Sequence, residues 1–261
     1  LALLTACTSH PSVPETFTEA GKRPVIYPDY KDVTVPCNIA PLNFSVMEKT
    51  DNSVARFTFD GDSYTYGEGH KIQIDIDEWK EMLAAAKGKS IKVEVFAQKD
   101  GEWKAFKPFD IHVAEDEIDP YMSYRLIQPS YVAYENLSIN QRNLTNFEEK
   151  DIYNNMLVSN DETAQCINCH SYKNHGTDNM QFHARQHKGG TLLVTSDGVK
   201  KINLKTDSTI SAGVYPAWHP THNYIAYSIN DTGQSFHTKN NNKMKNRLIL
   251  AEFCWNQPVF V

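Results

Sequence analysis

Ile72-Gln73-Ile74-Asp75-Ile76 and Ile91-Lys92-Val93-Glu94-Val95 put an apolar side chain at every second position and a polar one between. That alternation predicts strands with one face buried and the other in water. Between the two runs, Asp77 is placed to cap a short helix in which Trp79, Met82 and Leu83 share one face. Further on, Lys99-Asp100-Gly101 signals a hairpin turn that leads into a strand from Trp103 to Phe109.

Working outward, strands and turns at this spacing over residues 25–115 predict a small antiparallel β-sandwich of immunoglobulin or fibronectin type. Its acidic residues suit a solvated face, and nothing in the stretch has the pattern of a catalytic site. Upstream, Pro11, Pro14 and Pro24 stand among Ser, Thr and Glu, so residues 1–24 are expected to hold a tether. The chain has 261 residues and 40% hydrophobic content, enough for a packed core and for about two domains. A net charge of −6 argues against a nucleic-acid partner. No run of apolar residues is long enough for a spanning helix.

Residues 116–188 change character. Tyr and Asn become frequent, and Asn146-Phe147-Glu148-Glu149 is expected to open a helix running through Ile152, Met156 and Leu157. The segment then delivers Cys166-Ile167-Asn168-Cys169-His170, a C-x-x-C-H pattern. This spacing suits covalent haem c. Two thiols three positions apart each form a thioether with a haem vinyl group, and the following histidine offers an axial imidazole to the iron. Three other readings stay open: a disulfide or redox pair, a zinc site drawing on His183 and His187, or a motif without cofactor. The sixth iron ligand is sought among His175, Met180, His183 and His187. A helix over 179–187 would align Met180, His183 and His187, with Met180 and His183 ranked equally as metal ligands. Arg185 is a candidate partner for a haem propionate. The segment is thus expected to be small and irregular or helical.

From Gly189 the strand pattern returns, with Thr191 to Thr195, a turn at Ser196-Asp197-Gly198, and Val199 to Leu204. Gly213 to Ser228 contains Pro216-Ala217-Trp218-His219-Pro220 and then Ile225-Ala226-Tyr227-Ser228. This stretch resembles the blade repeat of TolB-type β-propellers, in which Pro-x-Trp-x-Pro enters a tight turn and an Ile-Ala-Phe-Ser-like strand follows. At the other end, Leu4-Thr5-Ala6-Cys7 resembles a bacterial lipoprotein box, which implies lipidation of Cys7 and a membrane anchor without a spanning helix.

Together these features resemble a family of bacterial envelope lipoproteins with TolB-like repeats and a c-type haem motif. The resemblance implies a mainly β protein. Its parts would be a signal remnant and tether (1–24), a sandwich (25–115), a haem-motif segment (116–188) and partial propeller blades (189–261). A propeller closes with four to eight blades, so the apolar Leu248 to Val261 end is read as a truncated or frame-shifted terminus. The implied function is electron transfer to a redox or envelope protein partner, with Cys166, Cys169 and His170 holding the haem. The alternative is a non-catalytic scaffold binding an envelope protein or glycan. A weaker third reading makes the haem catalytic, for which the iron needs an open axial position. Cys37 and Cys254 receive no role.

Overall fold

A computed structural model of the chain describes residues 10–128, 136–158, 165–230, 246–254 and 257–260. Cys7 and the polar run 240–245 lie outside these residues. The chain divides into two compact units, residues 1–122 with 142–148 and residues 123–141 with 149–261. Both are mainly β, and among the described residues the strands form five sheets, none of them closed.

In the first unit Ser90–Lys99 is the spine. One edge pairs antiparallel with Asn52–Phe59, and the other with Phe109–Val113 and Glu102–Ala105. Val93 lies between Phe57 and Phe109 in register, so apolar rows cross the sheet on one face. Ile91, Val93 and Val95 are buried as their alternation requires. Asp100 and Gly101 both take positive φ at the expected hairpin turn. The strand expected from Trp103 to Phe109 is instead two, Glu102–Ala105 and Phe109–Val113. Pro108 falls between them and has no N–H to offer a ladder.

A second, three-stranded sheet is built from Ile26–Tyr27, Phe44–Val46 and Lys71–Ile72. Ile26, Phe44, Val46 and Ile72 share one buried cluster with Phe57, Val93 and Ile111 of the large sheet. The expectation of a wholly antiparallel sandwich is corrected at two edges. Thr18–Glu19 runs parallel to Lys104–Ala105, and Thr34–Val35 parallel to His112–Val113. These partners are far apart in sequence, and long connections permit parallel pairing where hairpins do not. The proline-rich segment is held here too: both His10 ring nitrogens lie 3.0 Å from acceptors, the Thr65 carbonyl and Glu78 Oε1.

The helix forms as Ile76–Ala85 and buries Trp79, Met82 and Leu83. Its cap, however, is Asp75, not Asp77. The Asp75 carboxylate accepts the backbone N–H groups of Asp77 at 2.9 Å and Glu78 at 3.1 Å. That cap turns the chain into the helix, so Ile76 belongs to it and not to the preceding strand. The indole N–H of Trp79 donates to the Ile39 carbonyl at 2.9 Å, satisfying its polar atom inside the core. Replacing Asp75 by Ala is expected to cost about 1 kcal/mol. Asp77→Ala, outside the cap, should leave the urea midpoint almost unchanged; equal losses from both would contradict the assignment.

In the second unit Gln165–Tyr172, Met180–Gln186, Gly190–Thr195 and Gly198–Ile202 form a four-stranded antiparallel meander. Val214–Trp218, Tyr224–Asn230, Asn246–Cys254 and Gln257–Phe260 form another. Tyr121–Leu126, Ser138–Asn143 and Glu149–Asn154 make a three-stranded sheet. One face of the first meander, with Ile167, Phe182 and Ala184, packs with Leu137 and Ile139. Leu193 and Ile202 join a separate cluster with Ile225, Tyr227 and Ala251 of the second meander. The first meander is therefore covered on both faces.

Two helix expectations fail in this unit. Residues 146–157 hold the strand Glu149–Asn154 and a single 3₁₀ turn, Asn155–Leu157. Residues 179–187 hold the strand Met180–Gln186. A strand covered on both faces has no reason to alternate apolar and polar residues. Positions 180, 183 and 187 then mimic a helical spacing by accident. The irregular or helical C-x-x-C-H segment is corrected in the same way, because Cys166 to His170 lie in a strand.

Candidate functional site

Among the described residues, the strand Gln165–Tyr172 lies at the edge of its sheet and pairs with Met180–Gln186. Its outward carbonyls are met by side chains. Asn155 Nδ2 donates to Gln165 O at 2.6 Å, Arg125 Nη1 to Ile167 O at 3.3 Å, and Trp218 Nε1 to Ser171 O at 3.3 Å. These donors occupy an edge that otherwise invites another strand.

Register places Cys166 opposite Arg185, Ile167 opposite Ala184 and Asn168 opposite His183; pairing then resumes with Ser171 opposite Gln181. Cys169 and His170 thus form a bulge, two residues facing one. Cys169 has φ +55°, a left-handed backbone that a non-glycine residue adopts at a cost. The Gln181 side-chain amide donates to its carbonyl. In a regular strand, residues three apart point to opposite faces. The bulge breaks that alternation between the two cysteines.

Cys166 and Cys169 are free thiols, each half-buried, so the disulfide reading is not the state of this structure. His170 is half-buried as well. Burial holds its pKa below the ordinary histidine value; a hydrogen bond with the Ser123 backbone opposes this, and the Arg125 charge adds to the lowering. The ring is therefore neutral at neutral pH, the form that ligates a metal.

The remaining candidates are dispersed. Met180 is 4% exposed and packs with Phe182, Ala184 and Ile167, as a core side chain does. His183 is also 4% exposed but belongs to the opposite face of the strand, because three is odd. His183 Nδ1 lies 2.6 Å from Thr191 Oγ1. Its buried Nε2 has no hydrogen-bond partner among the described residues. Burial, and then the nearby Arg185 charge, push its pKa down to about 4. His175 is exposed in a short 3₁₀ turn. His187 is half-buried past the strand end, its carbonyl accepting from Gln165 Nε2 at 2.8 Å. Arg185 stands across from Cys166.

A structural zinc needs four converging donors. Among the described residues no three His, Cys, Asp or Glu side chains come together in that way. Covalent haem asks for two accessible thiols and one imidazole; Cys166, Cys169 and His170 are each partly exposed on the same edge strand. The C-x-x-C-H pattern found these three residues. The bulge at Cys169 and His170, and the enclosure of His183, had no signal in the sequence.

Cys37 is a free thiol far from the motif in sequence, with Sγ 3.5 Å from the carbonyls of Glu115 and Asp116. The Cys254 side chain lies outside the described part of the structure. No helix among the described residues is long and apolar enough to cross a membrane. Comparison with protein-family models, curated proteins and solved structures finds no match to this chain.

Proposed function

We propose that this chain is a bacterial envelope lipoprotein that binds one covalent haem c and transfers electrons to an envelope partner. The observation that carries the reading is the trio on the edge strand. Cys166 and Cys169 are unlinked and partly open to solvent, and a bulge interrupts the alternation that would set them on opposite faces. His170, directly after them, keeps a neutral imidazole. In this reading Cys166 and Cys169 would hold the haem through thioethers and His170 would offer its imidazole to the iron. When bound, the haem supplies a one-electron couple whose potential its axial ligands and surroundings set. A distal bond from Met180 would require that side chain to leave the core it shares with Phe182. One from His183 would draw on the unpartnered Nε2. Lipidation of Cys7 would hold the protein at the membrane, and the acidic charge disfavours nucleic acid as partner.

A second reading rests on a different observation. Two four-stranded antiparallel meanders follow one another and share a buried cluster, as successive blades of a TolB-like propeller would. The two-sheet first unit would be the sandwich of immunoglobulin or fibronectin type. In this reading the chain is a non-catalytic scaffold for an envelope protein or glycan, and the cysteines carry nothing.

One experiment separates the two. The full chain is expressed in a periplasm supplied with cytochrome c maturation machinery, then stained for haem on a denaturing gel and weighed intact. The expected product carries one haem per chain, and Cys166→Ser with Cys169→Ser abolishes it. A colourless chain of bare polypeptide and acyl mass defeats the haem reading and leaves the scaffold.

A further inference from the structure

We propose that the outer face of the three-stranded sheet in the first unit, which exposes Val25, Tyr27 and Met47, lies on the lipid headgroups of the membrane that holds the acyl chains of Cys7. Ile26, Phe44, Val46 and Ile72 of this sheet turn inward to the core. Alternation therefore turns their neighbours outward. Tyr27 stands opposite Ser45, and Ser45 opposite Lys71, in one row across the three strands. The Met47 N–H donates to the Val25 carbonyl at 2.8 Å, which sets those two residues side by side. Val25 is 52% exposed, Met47 58% and Tyr27 70%. The other outer face of the unit, that of the large sheet, carries rows of another kind, Thr58–Lys92–Asp110 and Arg56–Glu94. An exposed apolar patch on one side of a charged body marks a contact surface.

The course of the chain before residue 24 decides the occupant. Residues 10–24 do not form the free tether that their composition predicts; they are strapped to the first unit. The His10 ring lies 5.8 and 5.7 Å from those of Tyr64 and Tyr66, and Thr65 Oγ1 donates to the Pro11 carbonyl at 2.6 Å. Further along, Ala20 N donates to Ala105 O at 2.8 Å and Lys107 N to Lys22 O at 2.9 Å. Only Thr8 and Ser9 separate His10 from Cys7, so the acylated residue stays within about 11 Å of His10. His10 and Lys71 line one cavity. Lys71 belongs to the outward row, and Tyr27 is two strands, about 10 Å, from it. A bilayer held that close meets this face at an effective concentration far above that of a free partner. Tyrosine suits the headgroup level, where its ring is buried and its hydroxyl stays wet, and the Lys71 ammonium suits lipid phosphate.

This inference rests on lipidation of Cys7, and its test separates the two. The full chain is produced in a bacterial host, weighed intact and reconstituted into vesicles of phosphatidylethanolamine and phosphatidylglycerol. Photoreactive p-benzoylphenylalanine replaces Met47 in one variant and Lys92, exposed on the charged face, in another. Illumination is expected to give about tenfold more lipid adduct from position 47 than from position 92. Tyr27→Asp in the first variant should lower that yield several-fold while leaving the unfolding midpoint in place, since Tyr27 is exposed. A chain without acyl mass overturns the anchor and this docking together. An acylated chain overturns the docking alone if both positions give equal adducts, if position 47 gives none, or if Tyr27→Asp leaves the yield unchanged.

Discussion

Gly67→Ala is expected to unfold, or nearly unfold, the first unit. A Cβ at Gly67 would sit on the Ser53 carbonyl oxygen and only 3.0 Å from Val54 Cα. Both obstacles are backbone atoms of the strand Asn52–Phe59, which pairs on its other side with the spine Ser90–Lys99. Neither can step aside as a flexible side chain does. The surroundings are also pinned: Ser53 Oγ donates to Gly69 O at 2.7 Å, and Asn52 Oδ1 accepts from Gly69 N at 3.1 Å. Relief therefore means parting the loop 67–69 from the strand, which sacrifices these bonds and opens a core containing Phe57 and Val54. Overpacking of this kind costs about 3 kcal/mol or more. Gly61→Ala is the control. Gly61 has φ +94°, and an added Cβ there would meet nothing within 4 Å, so only backbone strain is introduced, about 1 kcal/mol. Urea denaturation of both variants checks the difference, and equal midpoints would refute the steric account.

That glycine shows where sequence reasoning stops. The row Ile91–Val95 disclosed a strand because Ile91, Val93 and Val95 are buried while Lys92 is exposed and Glu94 half-buried, whereas of the row Ile72–Ile76 only Ile72 lies in a strand. Trp79, Met82 and Leu83 disclosed the helix because three and four residues bring a side chain back to the same side. Those periods are local, so a sequence displays them. Gly67 is constrained by Ser53, fourteen positions earlier, and its neighbours in sequence give no hint of that. In the second unit the strand Met180–Gln186 is hidden for a related reason. Met180 to Ala184 are all buried, since layers cover both faces of their sheet, and the period that identifies a strand disappears. The candidate site was legible as chemistry and illegible as geometry. C-x-x-C-H named Cys166, Cys169 and His170 outright. Whether Met180 or His183 stood near them depended on helix versus strand, and the strand sets these two on opposite faces. Thr191, which fixes the His183 ring, is reached only through cross-strand register.

Acidification from pH 6.5 to 4 is expected to remove roughly 3 kcal/mol of stability from the second unit through His183 alone. In the unfolded chain this ring takes up a proton as pH falls through its ordinary value of 6.5. In the folded unit it resists until about 4, chiefly because burial strips the imidazolium of water and secondarily because Arg185 repels it. Across that window the unfolded state binds the extra proton, so stability declines as pH declines and is flat above 6.5. The difference between the two values converts to roughly 3 kcal/mol. His170 acts in the same direction, since its value is also lowered by burial. Two measurements check this. Urea midpoints between pH 7.5 and 4 should fall for the natural chain and fall much less for His183→Gln. Independently, the His183 ring signals in an NMR titration should stay those of a neutral imidazole at pH 5.5. A ring that titrates near 6.5 would mean that solvent reaches His183. The enclosure of the ring would then have no basis.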